Sequence, residues 1–275
     1  MNDLLNNPAV QSGVIPLLLG LVLAFALART RFLALVPWAG FVAVVTLALD
    51  FALEPLTALR KLILVGLIGG ALALSLDAAR VSAGPALRAG LGLLAAAAAL
   101  WMLARVLGQK EGANLWLAGF GVALYAVSLT LSLLLVAGDT LLASLSSTVV
   151  GVASGVLALL GATASMTQIG IALGAASGAV LLVQLLRGER APLGGFIALP
   201  VALICSLIGV GASLTGALPW VALLPMPLVG VAVYFARVGA GRSLWLAAIV
   251  PGVAALVPAA LAVMLAWLRV GAAPG

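Results

Sequence analysis

Histidine is absent from this chain, and cysteine occurs once, at Cys205. Without imidazole there is no histidine-ligated haem or zinc and no histidine proton relay. One cysteine forms no intramolecular disulfide, and its apolar neighbours mark it as a small buried hydrophobe. Charge is scarce too: 7% of the 275 residues are charged, against about 25% in an ordinary soluble domain. So few charges cannot cover a water-facing surface. The 13 Lys and Arg exceed the 7 Asp and Glu, but they are dispersed, so no nucleic-acid surface is expected. No phosphate loop, thiolate pair or nucleophile motif is found. The glycine-rich stretches lie inside apolar runs rather than between a strand and a helix. No catalytic residue, metal or cofactor is expected, and the chain is read as no enzyme.

What is present is apolar: 65% of residues are hydrophobic, with a mean hydropathy of +1.34. The partner implied is a lipid bilayer, in which every backbone N–H and C=O must be satisfied internally. Barrel strands would alternate apolar and polar residues over about 10 positions. Residues 62–74 and 91–104 are instead unbroken apolar runs. The fold class expected is therefore all-α, a polytopic transmembrane helical bundle with short loops, forming one integral membrane domain over residues 1–275.

A crossing needs about 20 apolar residues. With charges and Gly/Pro clusters as punctuation, spans fall at 12–28, 32–50, 60–77, 86–107, 114–137, 141–161, 166–186, 194–213, 216–236 and 243–268. The weakest boundary is 162–165, which carries no charge. The N-terminus has no basic region before the first apolar stretch, so a retained helix is expected rather than a cleaved signal. Odd-numbered loops carry eight of the cations and the other side five. This bias predicts odd loops in the cytoplasm and both termini in the periplasm. Arginine outnumbers lysine 11 to 2 in a chain rich in Ala, Leu, Gly and Val, which suits a GC-rich bacterial genome and an inner-membrane location. A shift of 182 residues aligns 13–76 with 195–258, matching Pro37-Trp38 with Pro219-Trp220 and Arg60 with Arg242. That register would be a weak inverted repeat, a common transporter architecture.

Ionisable residues near membrane depth are functional candidates. Asp50 and Glu54 lie four apart, ahead of Pro55, Arg60 and Lys61. On one helix face the acids would form a gate or cation-binding pair, with the two cations folding back onto them. Against that stands a solvated interfacial hairpin with snorkelling charges. Arg88, just inside the fourth span, joins these gate candidates as a site for an anionic headgroup or substrate. Arg105 lies at that span's far end. Asp77 and Arg80 read as a rim pair of small worth, and Asp139 as a turn residue able to cap the sixth span.

Hydroxyls and small residues concentrate in 140–178. Gly151 and Gly155 form a GxxxG pattern, and Gly170, Gly174 and Gly178 form a stripe on the seventh span. These predict that spans six and seven pack tightly at the centre. Ser146, Ser147, Thr148, Thr163, Thr167 and Gln168 are candidates to line a substrate path, with Tyr125 and Ser128 opposite. The plainer alternative is that the hydroxyls bond their own i−4 carbonyls. Pro225-Met226-Pro227 should interrupt span nine, and the six tryptophans should form an interfacial belt.

By length and span number alone, the chain resembles the small drug/metabolite permeases, which have two inverted halves. No residue signature carries that resemblance, and its implied inward termini oppose the charge bias. Two functions fit the residues. One is a secondary permease for a small or amphipathic solute. The other is a non-catalytic subunit or assembly scaffold, with a membrane-protein partner or further copies of itself.

Overall fold

The computed structural model describes residues 7–49, 54–191, 195–237 and 243–270, and the described residues form helices without strands. Ten elements follow one another: α1 Val10–Leu27, α2 Phe32–Ala48, α3 Ala58–Ala78, α4 Pro85–Leu107, α5 Gly112–Leu134, α6 Thr140–Gly161, α7 Ala164–Arg187, α8 Ala198–Thr215, α9 Trp220–Phe235 and α10 Leu244–Val270. Eight are long and apolar enough to cross a membrane, while α2 and α9 are shorter. The protein is thus a polytopic helical bundle, as its composition requires.

The helix ends follow local chemistry. Asp139 caps α6, its carboxylate accepting from the N–H groups of Leu141 at 3.0 Å and Leu142 at 3.3 Å. Thr163 Oγ1 accepts from Met166 N–H at 3.4 Å and starts α7. This cap supplies the charge-free boundary between α6 and α7. The Gly161 carbonyl, left over at the end of α6, accepts from Ala217 N–H at 2.7 Å. Helix α9 is two pieces, Trp220–Leu223 and Leu228–Phe235, with Pro225 and Pro227 in the gap. Proline has no N–H to continue the ladder, so the expected interruption occurs. Pro251 and Pro258, by contrast, lie within a continuous α10.

Helix α8 is the axis of the bundle: residues 198–212 are all buried, against α3, α4, α5 and α6. The closest helix pair is α6 with α7. A Cβ on Gly151 would lie 2.5 Å from the Gly174 nitrogen, and one on Gly170 would lie 2.5 Å from the Gly155 nitrogen. The GxxxG of α6 therefore meets the glycine stripe of α7 backbone to backbone, in the packing mode expected. The other side of α7 carries Ala172, Ala176 and Ala179, on which Gly20 of α1 and Gly40 of α2 rest. Helices α9 and α10 cover the outer side of α6.

The short connections alternate between two rims. Loops α1–α2, α3–α4, α5–α6 and α7–α8 meet on one rim, called here the odd rim. Loops α2–α3, α4–α5, α6–α7 and α8–α9 mark the even rim. Trp101, Trp116, Trp245 and Trp267 are exposed, as a belt requires. Trp38 and Trp220 are instead partly buried, Trp38 on the Cα face of Gly70 and Trp220 beside Gly121.

Candidate functional site

The expected substrate path along α6 and α7 is a packed helix pair. Ser146 Oγ donates to the Ala143 carbonyl at 3.1 Å, Thr148 Oγ1 to Ser144 at 2.7 Å and Thr167 Oγ1 to Thr163 at 3.1 Å. Ser128 donates to the Leu124 carbonyl. These hydroxyls follow the i−3/i−4 bonding that membrane helices commonly use. Thr163 is a capping residue at the even rim, and Gln168 is half-buried near it. Ser147 is fully buried without a hydrogen-bond partner among the described residues. The Tyr125 hydroxyl, also unpartnered, is pressed against the Gly209 backbone, where an added Cβ would lie 2.8 Å away. The named positions are thus spread over α5, α6 and α7, and Thr148 lines an apolar groove between α6 and α10.

The ionisable candidates on the even rim also bond elsewhere. Arg60 Nη1 donates to the Pro55 carbonyl at 2.7 Å. Lys61 Nζ donates to the Trp101 carbonyl at 3.0 Å and lies 5.0 Å from that indole's centroid. Glu54 is exposed, and Asp50 lies outside the described residues. Among the described residues the one ion pair is Arg190 with Asp139, at 2.6 Å on the odd rim. The two cations therefore anchor the start of α3 on backbone oxygens and an aromatic face.

Arg88 leads to a different place. It lines a cavity of about 410 Å³ at the odd rim, with Arg31, Asp77, Arg80, Ser82 and Gly195 also on its wall. The connections α1–α2, α3–α4 and α7–α8 bring these residues together, with Ala137 and Gly138 of α5–α6 beside them, which is why adjacency in sequence did not reveal the cavity. Asp77 ends α3 almost fully buried, with 5% of its surface exposed. Its Oδ2 has no hydrogen-bond partner among the described residues, and neither has the buried Nε of Arg88. The amides of Gly195 and Phe196 and the guanidinium of Arg31 are the positive groups nearest the Asp77 carboxylate.

The turn holding Arg80 is strained. Arg80 N–H bonds the Asp77 carbonyl at 3.2 Å and Val81 N–H bonds Leu76 at 3.1 Å. These bonds close α3 with the paired turn usually completed by glycine in the left-handed region. Here the residue at φ 56° is an arginine. A non-glycine residue in that conformation costs about 1–3 kcal/mol, and such strain concentrates at functional sites.

Beside this cavity a buried amide ties the rim together. Gln184 Nε2 donates to Ser144 Oγ at 3.2 Å, and its Oε1 accepts from Ala191 N–H at 3.2 Å. Thr140 Oγ1 donates to the Ala191 carbonyl at 2.9 Å. Gln184 was not singled out in the sequence, where it stands alone among leucines and valines; a lone amide deep in an apolar helix is the signal that marks it. A second, apolar groove of about 650 Å³ runs between α6 and α10, bounded by Thr148, Ala153, Ala260, Met264 and Trp267.

Comparison with protein-family models, curated proteins and solved structures finds no match to this chain. The functional reading therefore rests on the geometry alone.

Proposed function

We propose that the chain is a secondary permease of a bacterial inner membrane, admitting a small or amphipathic solute through the odd-rim vestibule. The observation that supports this reading is the vestibule itself. It is a cavity of about 410 Å³ whose wall includes one buried oxygen of the Asp77 carboxylate and a buried guanidinium nitrogen of Arg88, both without partners among the described residues. Its volume falls in the range of about 300–1,000 Å³ typical of small-molecule sites. The interior beyond it is densely packed around α8, so the conformation is closed toward the even rim. No chemistry on the solute is invoked, and the protein is read as non-catalytic. The test is counterflow in proteoliposomes across a panel of small anionic and zwitterionic solutes. Solute-specific accumulation that Arg88→Gln abolishes would establish the permease. Flat counterflow for the whole panel, with a correctly inserted and folded protein, would reject it.

The groove between α6 and α10 favours a second reading, a membrane subunit that docks a partner helix. Its wall combines small residues with long apolar ones, the composition that lets helices approach closely in a bilayer. Mass measurement of the gently solubilised complex would decide it. Ala260→Phe, which fills the groove, should then release the partner and leave this chain folded.

A further inference from the structure

We propose that the odd-rim vestibule selects a ligand bearing both an oxyanion and a primary ammonium group, the chemistry of phosphoethanolamine. The inference deepens the permease reading by naming the substrate class of its vestibule.

The argument starts from two opposite deficits. Arg31, Arg80 and Arg88 converge on the cavity, and none of them makes an ion pair among the described residues. Guanidinium groups are planar forks that match carboxylate and phosphate oxygens, often through two parallel bonds. Among the described residues Asp77 is the one acid on this wall and Arg31 is the guanidinium nearest it, so Arg80 and Arg88 face the cavity without an acid of their own, and an entering oxyanion offsets their repulsion. Arg31 and Arg80 are exposed, as topology-setting cations are; Arg88 is part-buried, and its Nε is sealed from solvent without an acceptor among the described residues.

A pure anion leaves the other deficit unmet. Asp77 lines the same cavity at 5% exposure, and its Oδ2 lacks a donor among the described residues. Buried polar atoms are nearly always hydrogen-bonded, so each exception calls for a reason. Next to a bare phosphate, this carboxylate would be a repulsive neighbour at close range. An ammonium a few bonds from the oxyanion reaches Asp77 while the oxygens stay on the arginines, and it satisfies both deficits at once. Three cations against one carboxylate also leave room for a ligand of net negative charge.

Two sources supply this chemistry: a soluble phosphoamine, or the headgroup of an ethanolamine phospholipid, since the cavity opens at a membrane rim. Equilibrium binding to the purified full chain distinguishes them. The soluble probes are O-phosphoethanolamine and ethyl phosphate, which lacks the amine. The lipid probes are nanodiscs of phosphatidylethanolamine or of phosphatidylglycerol, read by retained lipid in native mass spectrometry.

The expected result is preference for the amine-bearing member of either pair by at least about tenfold, the scale for satisfying a buried charge. Asp77→Asn should erase the preference and leave ethyl phosphate binding unweakened. Arg88→Gln should weaken both soluble probes, and Arg88→Lys should restore part of that loss. A preference seen only in nanodiscs assigns the site to lipid; one seen with the soluble probe assigns it to a free solute. Equal binding of ethyl phosphate and O-phosphoethanolamine with equal retention of the two lipids, or a preference that survives Asp77→Asn, overturns the proposal. So does the absence of binding by any probe to folded protein. A cooperative thermal melt and a monodisperse size-exclusion peak without added ligand show folding of each variant independently of the site. Binding without counterflow would sink the permease reading and leave this inference standing; counterflow without amine preference would do the reverse.

Discussion

Arg80 and Asp139 carry charge at the same rim but stand in opposite relations to their backbone. Arg80 occupies the left-handed position that closes α3, with φ 56°, where glycine is the unstrained choice. Replacing it with glycine should raise stability by about 1 kcal/mol, seen as a higher thermal midpoint in detergent, while anion affinity falls. Arg80→Lys should leave both the strain and the midpoint as they are. A midpoint that drops in Arg80→Gly would mean that the side chain, rather than the backbone, governs this turn. Asp139 relieves its backbone instead, capping α6 through two N–H groups and pairing with Arg190. Asp139→Ala should cost about 1 kcal/mol through the lost cap. Asp139→Asn should cost less, because the amide oxygen still caps and a partly exposed ion pair adds at most about 1 kcal/mol. Equal losses in the two variants would place the weight on the ion pair. The capping role was readable from Gly138-Asp139-Thr140, since a short acid before an apolar run is a helix-start signal. The partner of Asp139 was not, because Arg190 is 51 residues away.

At the scale of elements, the contact between α6 and α7 is made of glycines because nothing larger fits. An added Cβ at Gly151 or Gly170 meets partner backbone at 2.5 Å, and backbone, unlike a flexible side chain, cannot step aside. Gly151→Ala or Gly170→Ala should therefore force the helices apart and lose several kcal/mol, as overpacking and separation of a close interface combine. Gly90 of α4 has nothing within 4 Å of its Cβ position. Gly90→Ala should be neutral or stabilise by up to about 1 kcal/mol through helix propensity. Heated samples followed by size-exclusion chromatography would rank the three variants. If Gly151→Ala matches Gly90→Ala, the zipper is not a structural keystone. The spacing of Gly151, Gly155, Gly170 and Gly174 announced this interface, since small residues four apart have one obvious use in an apolar helix. For Ser146, Thr148 and Thr167 the sequence left two uses open, because a hydroxyl can bond its own preceding turn and still face a groove, as Thr148 does. All three donate to carbonyls three or four residues back.

At the scale of the whole molecule, the order of helices was legible because a bilayer punishes charge within a crossing, while of the ten expected spans eight are long and apolar enough to cross and α2 and α9 are shorter. The vestibule was not, because it depends on which loops meet. Arg31, Asp77, Arg88 and Gly195 come from four separate segments, and only the bundle's packing order brings them to one wall. Their sharing of a rim follows from simple alternation: each belongs to an odd-numbered connection or the helix end beside it. That alternation also carries the orientation argument. If the odd rim is cytoplasmic and the termini outside, as the positive-inside bias of the sequence predicts, the vestibule opens inward. Cys205 is fully buried, and the native chain should give little background with a membrane-impermeant maleimide. Glu189→Cys on the odd rim and Gln109→Cys on the even rim are exposed reporter positions. In intact spheroplasts Gln109→Cys should label and Glu189→Cys should stay unlabelled until the cells are lysed. The opposite pattern would turn the vestibule outward and make it the mouth for solute arriving from the periplasm. Labelling of both positions from outside would break the alternation itself, and with it the account of why four odd connections share one cavity.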